Sequence, residues 1–496
     1  MTTGPSPTDG LPRSKEELVA ALAENSAELR KQLSFKDVAN ILGSSIKRDV
    51  ASKTLLFAVM LLTYTDAEAL NALMAAESSS GKSYLPIEIS LYFPEEDVVI
   101  LGGASPTSFF HEVSGGDFAT WDPEKKQVRV DLSHRILIFL DQPRTQLLEK
   151  LRSFLSHDKK EIRYKIADRS QKAGLRTKTI ILVGYATVIF CTANFALDQQ
   201  ERTRVYQLSP ETDTKKVDDA VELLLAKKSN RDAFANMLLS DPNRKLLMRR
   251  VKDVKNSGIR DVVIPEELQR AIARKWKELH PHPIPRHIRD LERFLSLVKA
   301  RALLNWRLRE DAGDHRVSAI GEDVDEAFAV YETVRESNEL GLAPQIYEIF
   351  KEVIQPIGSA KVTVADKDEV VMVGVFRQQI LREYFTLYGR PLSEQRLRKE
   401  ILPPLDASGL ISEEPDPDDR RRNLVYPQVL ATISRAKGLP PASMDGPRNS
   451  GRGVGVSLNK PPCEVCGRPG TPLVRIGDPS THHFCSEHKG DYRGDL

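Results

Sequence analysis

The sequence predicts an α/β chain: a phosphate-binding-loop core with a helical lid, a C-terminal winged helix and a small zinc-binding tail. Three observations carry this. An apolar run, Ala69 to Ala75, leads into Ala76-Glu77-Ser78-Ser79-Ser80-Gly81-Lys82-Ser83, after which Tyr84 to Tyr92 place apolar residues at helical spacing. A second apolar run, Ile136 to Leu140, ends in Asp141. The tail carries Cys463-x-x-Cys466 and Cys485-x-x-His488.

The first stretch has the form A-x-x-x-x-G-K-S, a Walker A loop with Ala76 in place of the usual first glycine. Strand, loop and helix is the context that motif needs. Backbone N–H groups there point at phosphate oxygens. Lys82 neutralises the β- and γ-phosphates of ATP, and the Ser83 hydroxyl holds Mg²⁺. Chance G-K-S tripeptides also occur in surface loops before helices, so the motif gains weight from the strands downstream of it.

Composition bounds the rest. At 496 residues the chain has room for roughly three domains. It is 40% apolar and 29% charged, ordinary for a globular protein. A net charge of +2 means that any DNA contact comes from local basic patches. No apolar run reaches the ~18 residues of a membrane span. Met1 to Gly10 is polar and proline-bearing, unlike a signal peptide. Four cysteines exclude a disulfide scaffold, and three of them stand at metal spacing, which fits a reducing cytoplasm.

Residues 1–12 read as a disordered tail and 13–64 as an N-terminal helical region, with Ser34 capping a helix that begins at Phe35. Lys47, Arg48 and Asp49 read as solvated helix charge. The α/β core spans 65–211. Asp97 to Leu101 is its second strand, and Ser105-Pro106 opens a short helix. Phe118 to Leu132 is a hairpin turning at Asp122 to Lys126. Arg135 to Gln142 is a Walker B strand, placing Asp141 beside Lys82 and Ser83. The residue after Asp141 is usually the Glu that polarises water. Here it is Gln142, which orients water but takes no proton, so fast hydrolysis requires another acid such as Glu149. After a helix at Leu147 to Leu155, a second hairpin pairs 161–166 with 175–182. Its connection carries Arg169 and Lys172, an exposed turn or a DNA-touching tip. The next strand, Ala186 to Asn194, ends in a polar residue placed to sense the γ-phosphate, with Cys191 packed in its core.

The order of Walker A, hairpin insert, Walker B, hairpin and sensor strand resembles AAA+ ATPases of the pre-sensor-1 hairpin branch. That branch includes MCM-type helicases and the helicases of viruses and mobile elements. The resemblance covers about residues 65 to 335. It implies a homo-oligomeric ring, a hexamer, that moves DNA. It also implies an arginine finger at Arg204, with Arg202 as second choice, and a sensor-2 arginine at Arg289 in the helix opened by Arg286-His287-Ile288-Arg289.

Residues 212–360 form a helical lid and insert. The run containing Arg244, Lys245, Arg249, Arg250, Lys252 and Lys255 reads mainly as solvated helix faces, with a phosphate-tracking surface as the alternative. Residues 361–436 read as a winged helix. Val375 to Phe385 is its first helix. Arg396, Arg398 and Lys399 lie on the recognition helix, and Arg420, Arg421 and Arg422 on the wing. Such a domain serves DNA or protein partners. A Gly-, Pro- and Ser-rich linker, 437–461, leads to the tail, 462–496. Its Cys463, Cys466, Cys485 and His488 suit a closed tetrahedral Zn²⁺ site, with His482 and His483 as competing ligands. Besides a DNA motor, a slow ATP-dependent DNA-bound switch and a nucleotide-binding assembly scaffold stay open.

Overall fold

Continuous apolar runs such as Ala72–Ala75 form strands buried on both faces, the signature of a parallel sheet covered on each side. The computed structural model describes residues 27–66, 70–77, 80–102, 119–122, 124–125, 127–141, 155, 159–168, 176–193, 205–364, 367–416, 419, 421–428, 471–474 and 481–484. Five parallel strands make the central sheet. Their spatial order is Val98–Leu101, Ile136–Phe139, Thr187–Thr192, Ala72–Ala75 and Tyr206–Leu208. From Ala72–Ala75 the chain crosses to the far edge, returns strand by strand, and then places its fifth strand on the other side of the first. That reversal makes a crevice at the carboxyl ends of the inner strands, where ligands bind in open α/β sheets.

Side chains along each strand point alternately to two cores. Ala72, Met74, Ile136, Ile138, Ile189, Cys191, Tyr206 and Leu208 face one of them. Helices Phe35–Leu42, Val50–Leu61, Pro242–Asn256, Arg286–Leu304 and Gly321–Glu339 cover that side. Val50–Leu61 is buried from Ser52 to Leu61, as a helix that is apolar nearly all round must be. Phe35–Leu42 begins as its sequence predicts: the Asp37 N–H donates to Ser34 Oγ at 3.0 Å, and the Ser34 N–H to Asp37 Oδ2 at 2.9 Å. The lid helix face differs from its expectation. Arg250 is fully buried and donates to the carbonyls of Leu304 (3.0 Å) and Lys31 (2.5 Å). Arg244 is buried too, and donates to Tyr92 Oη at 3.0 Å. These two cations tie helices together rather than facing water.

Leu73, Ala75, Leu137, Phe139, Val188 and Phe190 face the second core. There the two hairpins read from the sequence, Ala119–Asp122 with Gln127–Asp131 and Glu161–Asp168 with Arg176–Val183, join into one four-stranded sheet. The seam is a parallel pairing of Gln127–Asp131 with Arg176–Val183. Gly184 closes it at φ +82, where an added Cβ would lie 2.0 Å from Ser133 Oγ and 2.7 Å from Ser133 N, so only glycine fits.

The same core receives the C-terminal elements. Pro344–Ile349 runs through a π turn, Phe350–Ile354, into Gln355–Ile357. A hairpin, Ser359–Val364 with Lys367–Met372, comes next. After it stand a short strand Val375–Phe376, helix Arg377–Tyr388, and a second helical run in three pieces, Glu394–Arg396, Leu397–Ile401 and Leu402–Ala407. Strands Ile411–Pro415 and Asn423–Pro427 complete a three-stranded sheet with Val375–Phe376. Val375 and Phe376, which the sequence pattern assigns to the start of a helix, are thus a strand, and the hairpin before them has no counterpart in that pattern.

The described chain falls into two compact units divided between Leu430 and Ala431. In the second, Thr471–Val474 pairs antiparallel with Thr481–Phe484, so His482 and His483 sit on a strand opposite Leu473 and Pro472. The N-terminal tail, the helices expected at Ser105 and from Leu147, apart from Leu155, and the 437–461 linker lie outside the described residues.

Candidate active site

The strand Ala72–Ala75 ends against its neighbour: the Ala76 N–H donates to the Thr192 carbonyl at 3.1 Å. Asn71, buried at the start of that strand, fixes the register from the other end. Its Oδ1 accepts the Val188 N–H at 3.1 Å, and its Nδ2 donates to the Leu155 carbonyl at 2.9 Å. The loop then folds on itself, with Ser80 Oγ donating to the Glu77 carbonyl at 2.7 Å. Gly81 stands at φ +92. Its carbonyl accepts the N–H groups of Tyr84 (3.0 Å) and Leu85 (3.2 Å), which starts helix Tyr84–Ser90 directly after Lys82 and Ser83.

Cys191, on the strand beside the loop, reports what gathers there. Its thiol donates to the Lys82 carbonyl at 3.6 Å. Burial pushes the thiol up to about 11, against a hydrogen bond with Ser83 and the charge of Lys82, while the nearby Asp141 carboxylate adds to the rise. Lys82 and Ser83 follow strand Ala72–Ala75 and Asp141 follows Ile136–Phe139, with Thr187–Thr192, which carries Cys191, between those two strands. Asp141 is exposed at the end of its strand. A lysine, a hydroxyl and a carboxylate at this edge suit a phosphate with a hard divalent cation.

Glu77, in the same loop, has partners from the C-terminal elements. Its carboxylate forms an ion pair with Arg396, accepts from Gln345 Nε2 at 3.2 Å, and lies 3.9 Å from Arg390 Nη2. Gln345 is itself fixed, its N–H reaching Ser209 Oγ at 3.5 Å, and Ser209 Oγ donates to the Ala75 carbonyl at 2.7 Å. The C-terminal helices thus meet the loop directly. Sequence reading places Arg396 on a DNA-facing surface. The structure turns its side chain inward to Glu77 and Glu400, whose Oε2 is 3.4 Å from Arg396 Nε. Arg398, Lys399 and Arg421 are exposed. Arg390 and Gln345 are additions that sequence reading misses. Nothing local links residue 77 to residues 345, 390 and 396, which only the packing of the C-terminal elements brings together.

Arg289 is exposed on helix Arg286–Leu304. Its neighbours Asp290 and Arg293 face Tyr206, with the Arg293 guanidinium 5.5 Å from the ring centre. Tyr206 pairs with Ala72, the first residue of the strand that leads to the loop. Ser78, Ser79, Gln142, Glu149, Arg169, Lys172, Asn194, Arg202, Arg204, Arg420, Cys463, Cys466, Cys485 and His488 lie outside the described residues.

A separate cluster sits on the lid. His280 Nε2 lies 2.7 Å from Glu339 Oε1, and His280 Nδ1 3.0 Å from the Trp276 carbonyl. The ligand atoms of His280, His287 and Glu339 all fall within 4.8 Å of one another. Burial lowers the His287 pKa, and His280 adds to the effect.

No protein-family model and no curated protein matches this chain. Among the described residues, no helix is long and apolar enough to cross a membrane.

Proposed function

We propose that this chain is an ATPase of the AAA+ kind that works on DNA as a ring-forming motor resembling MCM-type helicases. The observation that supports the reading is that Lys82 and Ser83 and, one strand removed, Asp141 all follow the carboxyl ends of strands of one parallel sheet, on either side of the strand that carries Cys191. The Lys82 ammonium neutralises the β- and γ-phosphates of ATP. Ser83 and Asp141 offer the hydroxyl and carboxylate oxygens that Mg²⁺ takes, and that ion would screen phosphate charge during transfer. Asn194 and Gln142 orient the attacking water. Arg204 of a neighbouring subunit faces the charge that develops on the γ-phosphate. Arg398, Lys399 and Arg421 provide cations for DNA phosphates on an arrangement of strand, two helices and hairpin that suits a winged helix. In the tail, Cys463, Cys466, Cys485 and His488 hold a structural Zn²⁺ around the hairpin between the two ligand pairs.

Lys82→Ala should abolish ATP binding while leaving the thermal unfolding midpoint within a few degrees. Calorimetry that returns an unchanged ATP affinity overturns the phosphate-loop reading. A second reading, a slow ATP-dependent DNA-bound switch, is favoured by Gln142 and by the tie between Glu77 and Arg396. DNA-stimulated turnover supports the motor, and stable ATP binding with slow turnover supports the switch.

A further inference from the structure

Arg390, just after helix Arg377–Tyr388, and Arg396, at the end of Glu394–Arg396, face the loop, and one carboxylate of the loop faces them. Arg396 pairs with Glu77 and Glu400. Arg390 sits beyond it, 5.8 Å from the Tyr384 ring centre and 6.0 Å from that of Tyr388, with its Nη2 at the long distance of 3.9 Å from Glu77. Nε and Nη2 of Arg390 are buried and make no hydrogen bond. A buried guanidinium N–H without an acceptor is costly; six other arginines among the described residues have one such nitrogen each, whereas Arg390 has two. Among its neighbours the Tyr384 hydroxyl bonds to Arg390, and Gln345 is neutral and already donates to Glu77. Glu77 lies five positions before Lys82 in the same loop.

We propose that Arg390 and Arg396 are phosphate-binding residues of the nucleotide site, supplied by the same chain that supplies Lys82. The inference rests on the loop binding a nucleoside triphosphate. A planar guanidinium engages a phosphate through paired N–H donors, and release of Glu77 leaves these two guanidiniums with Glu400 as the one paired carboxylate, so positive charge becomes available to a polyphosphate. Glu77 holds the pair in place and competes with the phosphate for it. When the triphosphate enters, Arg396 exchanges Glu77 for phosphate oxygens, and the buried donors of Arg390 gain an acceptor. Arg396 shares its helical run with the exposed Arg398 and Lys399. Nucleotide binding therefore bears directly on the element that carries those cations, and by linkage DNA held there alters nucleotide affinity by the same factor.

The sign of one substitution separates this role from a merely structural clamp. Binding of a non-hydrolysable ATP analogue to the full chain is measured by calorimetry with Mg²⁺ present. Arg390→Gln and Arg396→Gln should each weaken it about ten-fold, the size of one charge-assisted hydrogen bond. Glu77→Gln should strengthen it, because the competing carboxylate is gone. If the pair only braces the loop, Glu77→Gln weakens binding as Arg396→Gln does, and that result overturns the proposal. Affinity unchanged in both arginine variants also overturns it, while leaving the Lys82 reading intact. If the unsubstituted chain binds no nucleotide at all, the phosphate-loop reading falls and this inference with it. Circular dichroism melts of each variant identify one that has lost its fold, and Glu77→Gln, which removes a charge without changing side-chain size, decides the sign on its own.

Discussion

Lys53 is a cation in an otherwise apolar helix, buried beside the sheet with its ammonium donating to the Ile46 carbonyl at 3.1 Å. Burial drives its pKa down to about 8, against the pull of Asp49 and Glu211. The folded state thus holds this proton less tightly than the unfolded chain, whose lysine titrates near 10.5. Below pH 8 both states carry the proton and the full cost is present. Between about 8 and 10.5 the unfolded chain binds more protons, so this residue's contribution makes stability rise with pH. The shift corresponds to about 3 kcal/mol at neutral pH, offset in a replacement by the Ile46 carbonyl left unpaired. Lys53→Met should therefore stabilise the protein by roughly 1–2 kcal/mol at pH 7 in urea unfolding. The gain should shrink steadily from pH 8 to 10, and a gain that stays constant over that range contradicts the assignment. The sequence shows Lys53 only as one lysine on an apolar helix. One of the charges that face it, Glu211, lies more than 150 positions away.

At the scale of elements, sequence reading succeeds where a pattern is long and fails where it is short or charged. The runs Ile136–Phe139 and Thr187–Thr192 are legible because strands covered on both faces need no polar alternation. The hairpin Ser359–Val364 with Lys367–Met372 escapes because Lys361, Lys367, Asp368 and Glu369 dilute any apolar rhythm. Strands of three residues, Asp311–Gly313 and Arg316–Ser318, are too short to show a period at all. The tail is the opposite case, since its ligand spacing speaks before any core does. A segment of this size has too little apolar surface to fold without a staple. Because thiolates bind metal only when deprotonated, zinc and folding would be linked there if the tail binds zinc as proposed. Elemental analysis should find one zinc per chain from the tail, and Cys463→Ser should remove it. Full zinc in that variant would require a different ligand set, with His482 and His483 the first to examine.

For the whole molecule the sharpest expectation concerns subunits. If Arg204 completes the site of its neighbour, Arg204→Ala should leave ATP binding nearly intact and cut hydrolysis by something like 10³–10⁵. Mixing Arg204→Ala subunits with Lys82→Ala subunits should then restore part of the activity, since some interfaces combine an intact lysine with an intact arginine. No recovery in such mixtures, or normal hydrolysis by a monomer, argues against a ring. That Lys82, Ser83 and Asp141 follow strands of one sheet is legible from motif order, because each motif succeeds an apolar run. The contact of Glu77 with Arg390 and Arg396 is not, because it arises where the C-terminal elements pack against the second core.

The parallel seam between Gln127–Asp131 and Arg176–Val183 also has a mechanical meaning. The Leu132 N–H donates to the Val183 carbonyl at 2.8 Å, and the Thr187 N–H to the Arg135 carbonyl at 3.0 Å. The four-stranded sheet is therefore clamped at its root to both strands that leave it, one ending at Asp141 and the other passing Cys191. It forms a cantilever whose fixed end lies in the sheet that bears the phosphate loop. A load applied at the Asp168–Arg176 end of that sheet would pass to its root along paired strands. From that root it would enter Ile136–Phe139 and Thr187–Thr192, the strands that precede Asp141 and carry Cys191.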